Sequence, residues 1–256
     1  MVVVQNGIIK NDHEIEIMRE AGRINAEVLE EVKALIQPGV ATRELDEAAE
    51  EIIRSYGASP TFKGYPGPYP YPATLTVSIN EEMVHGIPSG RVLKEGDIVS
   101  VDCGTTYKGF IGDSAFSTGV GEISSEAKRL IQVAEEALYK GIQRMRLGNH
   151  VGDVSAAIQA YVEDKGFHVP RKYTGHGVGR HMHEPPQVPN FGVPGKGLAL
   201  QKGMTIAIEP MVLVGTNRTK VLPDKWTVIS EDRSLTAHFE HTVAVTEGEP
   251  LILTRL

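Results

Sequence analysis

The chain contains an internal repeat, and this feature restricts its fold more than any other. Two segments, IQPGVATRELDEAAEEIIRSYG and MRLGNHVGDVSAAIQAYVEDKG, share two glycines at the same spacing: Gly39 and Gly57 in the first correspond to Gly148 and Gly166 in the second. Each segment has the apolar spacing of an amphipathic helix that is closed by a glycine. The repeat therefore predicts two related halves, each with its own helices.

A second pair of segments extends the repeat into a strand. LKEGDIVSVD and LQKGMTIAIE both place a glycine six residues before an acid, which is Asp102 in the first segment and Glu209 in the second. The same order of features in both halves predicts helices followed by a strand that ends on a carboxylate.

The pattern along the chain also predicts individual elements. Apolar periodicity predicts helices over 12–36 and 124–146, and alternation predicts a hairpin over 98–118 that turns near residues 107–109. The segment 59–72, SPTFKGYPGPYPYP, is too rich in Pro and Gly for a helix or a central strand. We expect it to form an aromatic surface loop or lid; a proline-rich ligand for a partner protein is the competing interpretation.

We expect one catalytic domain over residues 1–256. In this division residues 1–11 form an N-terminal arm, and the pseudo-repeat halves span about 12–120 and 121–256.

Four carboxylates and one imidazole stand inside or beside apolar, strand-like runs, where side chains are expected to be buried. They are Asp102, Asp113, His176, Glu209 and Glu240. Alternation along the strands puts small residues on the faces that carry the acids. An unpaired buried carboxylate is costly, so we expect cations among them. Oxygen ligands with one imidazole suit divalent transition ions, and two such ions neutralise four carboxylates.

Composition excludes several classes of partner and location. The net charge of −7 over 256 residues argues against nucleic acid as a specific ligand. No apolar run approaches the length of a membrane helix, and the start lacks the pattern of a signal peptide. A single cysteine, Cys103, fits a reducing compartment, and we interpret it as a small buried strand residue. We expect a cytoplasmic monomer that does not contact a membrane.

Five motifs bring a resemblance that covers nearly the whole chain. They are SINEEMVHGIP around His85, VDCGTTYKGFIGDSAFS around Asp102 and Asp113, TGHGVGRHMHEPP around His176 and His183, AIEPM at Glu209 and FEHTVAV at Glu240. In order and spacing they resemble the type I methionine aminopeptidases of peptidase family M24.

The resemblance implies a fold and a reaction. The fold is the α+β pita-bread (creatinase/aminopeptidase) fold, in which two pseudo-symmetric halves form an antiparallel sheet flanked by helices. The reaction is removal of the N-terminal initiator methionine from nascent polypeptides when the second residue is small. The partners implied are the N-termini of nascent chains, with contact to the ribosome surface as a hypothesis.

The resemblance also assigns a metal centre. It implies that Asp102, Asp113, His176, Glu209 and Glu240 bind two divalent metal ions. Asp113 and Glu240 bridge the two ions in that assignment, His176 and Glu209 complete the first site, and Asp102 completes the second. Mn, Fe, Co and Zn all accept such ligands, so the identity of the metal stays open.

Further residues receive roles through the same resemblance. Glu209 is expected to move a proton during attack on the first peptide bond. His85 is expected near the scissile amide nitrogen and His183 near the carbonyl oxygen. Tyr65 and Trp226 match aromatic residues of the substrate pocket, and Met182 falls where a bulkier aromatic often stands.

Other histidines are expected outside the ligand set. We interpret His181 and His238 as supporting or structural residues, although each lies two positions from a site residue. For His241 we expect a core hydrogen bond. The segment 66–75 is longer than the corresponding connection in many relatives. The resemblance therefore does not identify the residues that form the pocket wall between Tyr65 and Asn80.

Three other interpretations compete. A prolidase or aminopeptidase P shares the five ligands but normally carries a large preceding domain, whereas about ten residues precede the first helix here. A type II methionine aminopeptidase carries an insertion that is absent between His183 and Glu209. A non-catalytic binding protein on the same fold is expected to have lost ligands, and all five are present.

Overall fold

The computed structural model describes residues 9–256, so most of the predicted N-terminal arm lies outside the described residues. The helices are α1 (Asp12–Leu35), α2 (Thr42–Ser55), α3 (Ser125–Ile142) and α4 (Val151–Asp164). The strands of the first half are β1 (Ser59–Pro60), β2 (Leu75–Ile79), β3 (Glu82–Val84), β4 (Ile98–Tyr107) and β5 (Phe110–Gly119). Those of the second half are β6 (Thr174–Gly177), β7 (Glu184–Pro189), β8 (Thr205–Ile208), β9 (Met211–Leu213), β10 (Thr219–Val221), β11 (Val228–Ser230), β12 (Thr236–His238), β13 (Glu240–Ala244) and β14 (Leu251–Ile252).

The first helix matches its prediction because its start is coded locally. The Asn11 side chain accepts a hydrogen bond from the Glu14 amide, and the Glu14 carboxylate accepts one from the Asn11 amide, which is a capping box. The predicted helix 124–146 ends earlier, at Ile142. The amides of Arg144 and Met145 bond to carbonyls three residues back, in a tighter turn that keeps Met145 buried. The apolar period therefore runs past the end of the helix.

The main sheet is antiparallel and joins the two halves of the chain. Seven strands follow the order β1-β4-β5-β13-β8-β6-β7, with β2 paired to β4 and β14 paired to β13. The hairpin β4–β5 turns at Lys108 and Gly109, as predicted, and both residues have positive φ (48° and 78°), typical of a two-residue hairpin turn. Strands β5 and β13 meet at the boundary between the halves, so both halves contribute to one continuous surface.

Helices cover one face of this sheet. α1 packs against β4 and β5, and α3 packs against β5, β8 and β13. Asn25 of α1 donates to the carbonyls of Cys103 and Gly112 and accepts from the Ser114 hydroxyl, so a buried polar side chain fixes the helix to the hairpin. Cys103 is fully buried and free, as expected. The alternate residues of the strands consequently point to the opposite, helix-free face.

The internal repeat is visible in the structure. α2 and α4 each have 14 residues. The corresponding glycines of the two halves share a left-handed backbone, with φ between 67° and 99° for Gly39, Gly57, Gly96, Gly148, Gly166 and Gly203. This conformation strongly favours glycine, which explains why these positions are the ones that the two segments retain in common.

The Pro- and Tyr-rich segment 59–72 is more deeply packed than the predicted surface loop. Ser59 and Pro60 pair with β4 as a short edge strand, and Phe62 and Tyr71 are buried. The Tyr71 hydroxyl lies within hydrogen-bond distance of the carbonyls of Leu75 and Gly86. The segment is thus a docked loop that buries the rings of Phe62 and Tyr71, while the ring of Tyr69 remains exposed.

Candidate active site

Asp102 and Glu240 face each other across a small residue on the helix-free side of the sheet. Asp102 of β4 pairs with Ala115 of β5, and Ala115 pairs with Glu240 of β13. Directly opposed residues of antiparallel strands project from the same face, so the three side chains form a row. Because the central member is alanine, there is open space between the two carboxylates.

A second row runs beside the first. Asp113 lies two residues from Ala115 and therefore shares its face. His176 of β6 pairs with Ala207 of β8, which pairs in turn with Thr242, two residues beyond Glu240. Asp102 and Asp113 are therefore diagonal neighbours on the hairpin, because Asp102 pairs with Ala115 and Asp113 pairs with Gly104.

Glu209 closes the group just after β8. One of its carboxylate oxygens, Oε1, lies 3.5 Å from Nε2 of His176, and Oδ2 of Asp113 lies 3.8 Å from the same nitrogen. Possible ligand atoms of Asp113, His176 and Glu240 all lie within 4.8 Å of one another. The structure thus brings the five predicted residues from five strands or strand ends to one place.

Histidine is the only ion-pair partner that the structure, between residues 9 and 256, gives the carboxylates of the site. These ion pairs involve Asp113, Glu209 and Glu240. Within the same residues, Oδ1 of Asp102, Oδ1 of Asp113 and Oε1 of Glu240 are buried without a hydrogen-bond partner. Such orphaned oxygens are costly in a protein interior unless a cation is present.

Burial and mutual repulsion keep these acids partly protonated when no cation is bound. Desolvation raises the pKa of Asp113 to about 7. Desolvation, and then the charges of neighbouring acids, raise the pKa of Asp102, Glu209 and Glu240 well above the usual range. Positive charge among these acids would lower their pKa values again and stabilise their ionised forms. The residues present therefore fit divalent metal ions.

His176 has the chemical state that a metal ligand requires. Its Nδ1 lies 3.0 Å from the carbonyl oxygen of Gly177, to which it can donate, and this leaves Nε2 directed at the acids. Burial lowers the pKa of His176 to about 4, so the ring is neutral at physiological pH.

A cavity of about 150 Å³ adjoins the acids. Apolar cavities of this size accommodate a molecule as large as benzene. The three predicted pocket residues, Tyr65, Met182 and Trp226, all line it, together with Phe62, Tyr71 and Thr76, which the sequence analysis did not select. The site therefore has two parts. One is a carboxylate floor formed by Asp102, Asp113, Glu209 and Glu240, and the other is a wall of aromatic rings and the Met182 thioether.

Comparison with known proteins identifies the family. Residues 16–247 match the model of metallopeptidase family M24. A methionine aminopeptidase of Clostridium acetobutylicum is 52% identical over 248 residues, which cover 96% of this chain and 98% of the relative. The chain belongs to metallopeptidase family M24.

Solved structures of M24 proteins agree with this assignment. The crystal structure of the Thermotoga maritima methionine aminopeptidase matches with a TM-score of 0.94 and 48% identity, over 97% of this chain and 99% of that one. An Xaa-Pro dipeptidase of Bacillus anthracis matches with a TM-score of 0.79 and 26% identity, and only 62% of that chain is covered. The pita-bread fold expected from the sequence is confirmed. None of the M24 chain's helices between residues 9 and 256 has the length and apolarity needed to cross a bilayer.

Two further histidines of this M24 peptidase stand at the cavity. His85 follows β3 with a left-handed backbone (φ 63°), a strained state for a non-glycine residue that is often found at functional sites. Gly86 makes this corner possible, because a Cβ there would fall 2.2 Å from the carbonyl oxygen of Val77. Burial lowers the pKa of His85 to about 4.

His183 packs against the proposed ligand His176, with 4.4 Å between ring centroids. It is exposed to solvent on one side, and desolvation by the cavity wall lowers its pKa. His85 and His183 thus flank the acids as neutral imidazoles, which can donate or accept a hydrogen bond.

Three other histidines, His181, His238 and His241, differ in their exposure and in their contacts. His181 is exposed, and Nδ1 of His241 lies 2.9 Å from the Thr254 hydroxyl oxygen, which confirms the hydrogen bond expected for His241. His238, in contrast, is buried among the acids of the M24 site. The sequence indicates that His238 lies near the site, because residues two positions apart in an extended chain share a face and His238 lies two positions before Glu240.

Proposed function

We propose that this chain is a methionine aminopeptidase that removes the N-terminal methionine from nascent polypeptides when the second residue is small. One observation carries the proposal: five ligand-type side chains converge on the sheet face beside a cavity with an apolar, thioether-containing wall. The high identity to methionine aminopeptidases over nearly the full chain supports the same activity.

We assign two divalent metal ions to the carboxylate floor. Asp102, Asp113, His176, Glu209 and Glu240 would hold these ions. The central position of Asp113 supports this assignment, since it lies close to His176 and shares a sheet face with Asp102 and Glu240. Divalent ions bound there supply Lewis acidity and a nucleophile made from water at neutral pH. Mn, Fe, Co and Zn all suit the ligand set.

The protein's own groups have separate tasks in the reaction. The Glu209 carboxylate borders both the acids and the cavity, so it is placed to accept a proton and return it to the leaving amine. His85 and His183 are neutral, and each can donate one ring N–H to a polar atom of the scissile peptide. The two imidazoles thereby orient the peptide and stabilise charge that develops on it.

The cavity wall determines which side chain enters. Met182, Trp226 and Tyr65 offer a sulfur-tolerant, aromatic surface for an unbranched apolar side chain, such as that of methionine. We further propose that the protein acts in the cytoplasm as a monomer on nascent chains, with contact to the ribosome surface. Its single, buried cysteine fits the reducing environment of the cytoplasm.

Release of free methionine from Met-Gly and Met-Leu peptides tests the proposal. Activity that requires Mn²⁺ or Co²⁺, disappears with chelator and favours Met-Gly is the expected result. Equal turnover of Met-Leu would contradict the small-second-residue preference, and chelator resistance would contradict the metal assignment. Hydrolysis of Xaa-Pro dipeptides in place of Met-Gly would indicate a prolidase.

Two variants test the assignment of side chains. Glu209→Gln should abolish turnover, because the amide cannot accept the proton. His181→Ala is the matched control: it removes an exposed neighbouring imidazole and should lower turnover by less than about tenfold. An inactive His181→Ala enzyme would show that the histidines are misassigned.

A further inference from the structure

His238 is a buried histidine whose free ring nitrogen is directed at two acids of the site. It is 2% exposed. Its Nε2 lies 3.7 Å from Oε2 of Glu209 and 3.9 Å from Oε2 of Glu240. Within residues 9–256 this nitrogen has no hydrogen-bond partner. A buried polar atom without a hydrogen-bond partner costs free energy, so the presence of this unpaired nitrogen needs an explanation.

Hydrogen bonds on both sides hold the backbone of His238 in place. Its amide donates to the Ser117 hydroxyl oxygen at 2.8 Å, and that hydroxyl donates to the carbonyl of His238 at 2.8 Å. In β12 the residue also pairs with Met211 of β9. Both edges of the segment are thus held by neighbouring strands, which fixes the backbone from which the imidazole projects.

The chemistry of the neighbours determines which tautomer fits. Nε2 faces two carboxylates, which accept hydrogen bonds when ionised, so the favourable neutral ring carries its proton on Nε2. An ionised carboxylate offers about four lone-pair sites, so Glu209 and Glu240 could hold cations and still accept a hydrogen bond from His238. A short closing movement from the present 3.7 Å then makes an N–H···O hydrogen bond to Glu209.

We propose that His238 is a positioning residue of the metal centre. Its Nε2–H donates to Glu209 or Glu240 and fixes the orientation in which these carboxylates meet the metal ions. The inference rests on the proposed function, because it requires ions at the carboxylate floor. Donors of this kind, which bond to ligands and not to the metal, commonly alter metal affinity by tenfold to a hundredfold.

Two substitutions distinguish the effect of the N–H donor of His238 from the effect of its side-chain volume. His238→Gln keeps an N–H donor on a side chain of similar reach, whereas His238→Leu keeps the approximate volume and removes the donor. Calorimetric titration of the metal-free proteins with Mn²⁺ or Co²⁺ measures the effect without any turnover. We expect His238→Leu to weaken binding by about tenfold to a hundredfold and His238→Gln to remain within about threefold of the wild type.

A matched control is available one strand position away from Glu240. His241→Leu removes another largely buried histidine, whose bond to Thr254 lies on the other face of β13, and it should leave metal affinity unchanged. Thermal unfolding of each metal-free variant shows whether it folds. If His238→Leu does not fold, His238→Asn replaces it, because the shorter amide cannot reach the carboxylates and should weaken binding in the same way.

The outcomes are distinct. Wild-type affinity in His238→Leu overturns the positioning role. Equal weakening in His238→Gln and His238→Leu also overturns it, because the ring nitrogen would then be a direct ligand. A wild-type protein that binds neither ion overturns the proposed function and this inference together, whereas normal binding by both wild type and His238→Leu overturns the inference alone.

Discussion

The hydroxyl oxygen of Tyr65 lies 2.5 Å from Nδ1 of His183, and the two rings meet edge to face with 5.3 Å between their centroids. Desolvation raises the pKa of Tyr65, so its hydroxyl keeps its proton at neutral pH and can donate it to Nδ1. The other ring nitrogen, Nε2, then carries the imidazole proton. Tyr65 thereby favours the tautomer in which His183 donates a hydrogen bond into the cleft.

Replacing Tyr65 with Phe should therefore lower kcat more than it changes KM. The ring and its packing remain, but the hydrogen bond that selects the tautomer is lost, which corresponds to about a fivefold to tenfold decrease in kcat. Steady-state kinetics on Met-Gly peptides measure both constants. Tyr56→Phe, which removes a hydroxyl bonded to Glu27 far from the cleft, should have wild-type kinetics. A rise in KM alone would assign Tyr65 to binding only.

Trp226 is the single tryptophan of the chain, so its fluorescence reports on the docked loop. The Tyr69 hydroxyl donates to the carbonyl of Asp224 at 2.9 Å, and its ring meets the Trp226 ring edge to face at 6.2 Å. Tyr69→Ala should shift the Trp226 emission to the red, increase its quenching by acrylamide and raise KM about threefold to tenfold at constant kcat.

Tyr56→Ala provides the control for this variant. Tyr56 and Tyr69 are almost equally exposed, at 40% and 39%, but Tyr56 does not contact Trp226. The emission spectrum and KM of Tyr56→Ala should therefore match those of the wild type. Unchanged emission in Tyr69→Ala would show that the loop does not hold the indole ring.

Asp46 gives stability a pH dependence that does not involve the metal centre. Its Oδ1 accepts hydrogen bonds from the amides of Thr74 and Leu75, and desolvation raises its pKa above the ordinary value of 3.8. A carboxyl with a raised pKa in the folded state contributes stability below its unfolded pKa and loses it as pH rises through the folded value. The contribution of Asp46 to the stability of the wild type should decrease correspondingly above about pH 4.

Asp46→Asn removes this dependence while keeping an acceptor oxygen. Urea unfolding at pH 3.5, 5 and 7 should show Asp46→Asn equal to the wild type at the lowest pH and more stable at the higher values. Asp46→Ala leaves two amides without their acceptor and should lose about 1–3 kcal/mol at every pH. The opposite trend, with Asp46→Asn less stable at pH 7, would show that the ionised carboxylate is favoured.

Lys10 connects the start of the described chain to the loop that carries His183. Its ammonium forms a buried ion pair with Glu184, with only 4% and 7% of the two side chains exposed. Glu184 also accepts the amides of Arg180 and His181. Lys10→Met should reduce the free energy of unfolding by about 3 kcal/mol, because it leaves a buried carboxylate without its counter-charge.

Urea denaturation of three variants checks this prediction. Lys10→Met combined with Glu184→Gln should recover most of the loss, since no unpaired charge remains. Arg146→Met, which breaks the exposed ion pair with Glu249, should leave the denaturation midpoint nearly unchanged. A Lys10→Met protein as stable as Arg146→Met would show that the buried pair contributes little.

The elements predicted most accurately are those with local codes. The capping box of Asn11 and Glu14 fixes the start of α1, and the turn at Lys108 and Gly109 fixes the hairpin. The end of α3 was placed four residues late because Met145 continues the apolar period in a tight turn, where it is buried by other parts of the fold. Periodicity records burial, and a helix and a packed turn can bury the same residue.

The docked loop shows a second limit of sequence reasoning. Composition correctly excluded a helix over 59–72, but a surface position was wrong for Phe62 and Tyr71. Proline and glycine decide which backbone states are allowed, whereas contacts with Leu75 and Gly86 decide where the rings lie. His238 is a similar case, since the two-residue period placed it on the face of Glu240 without showing that its nitrogen lacks a partner.

The residue pattern alone predicts the chemical content of the site and the two-half architecture around it. Its repeated glycines predicted two halves, and its buried acids on faces of small residues predicted cations between them. The geometry of the site depends on long-range strand pairing, because β5 pairs with β13 and β8 pairs with β6. These pairings bring residues from distant parts of the chain into two rows. The small residues Ala115 and Ala207 lie within these rows and leave room between the acids. Alternation fixes the face on which a side chain lies, but strand register, set by long-range packing, fixes its neighbours.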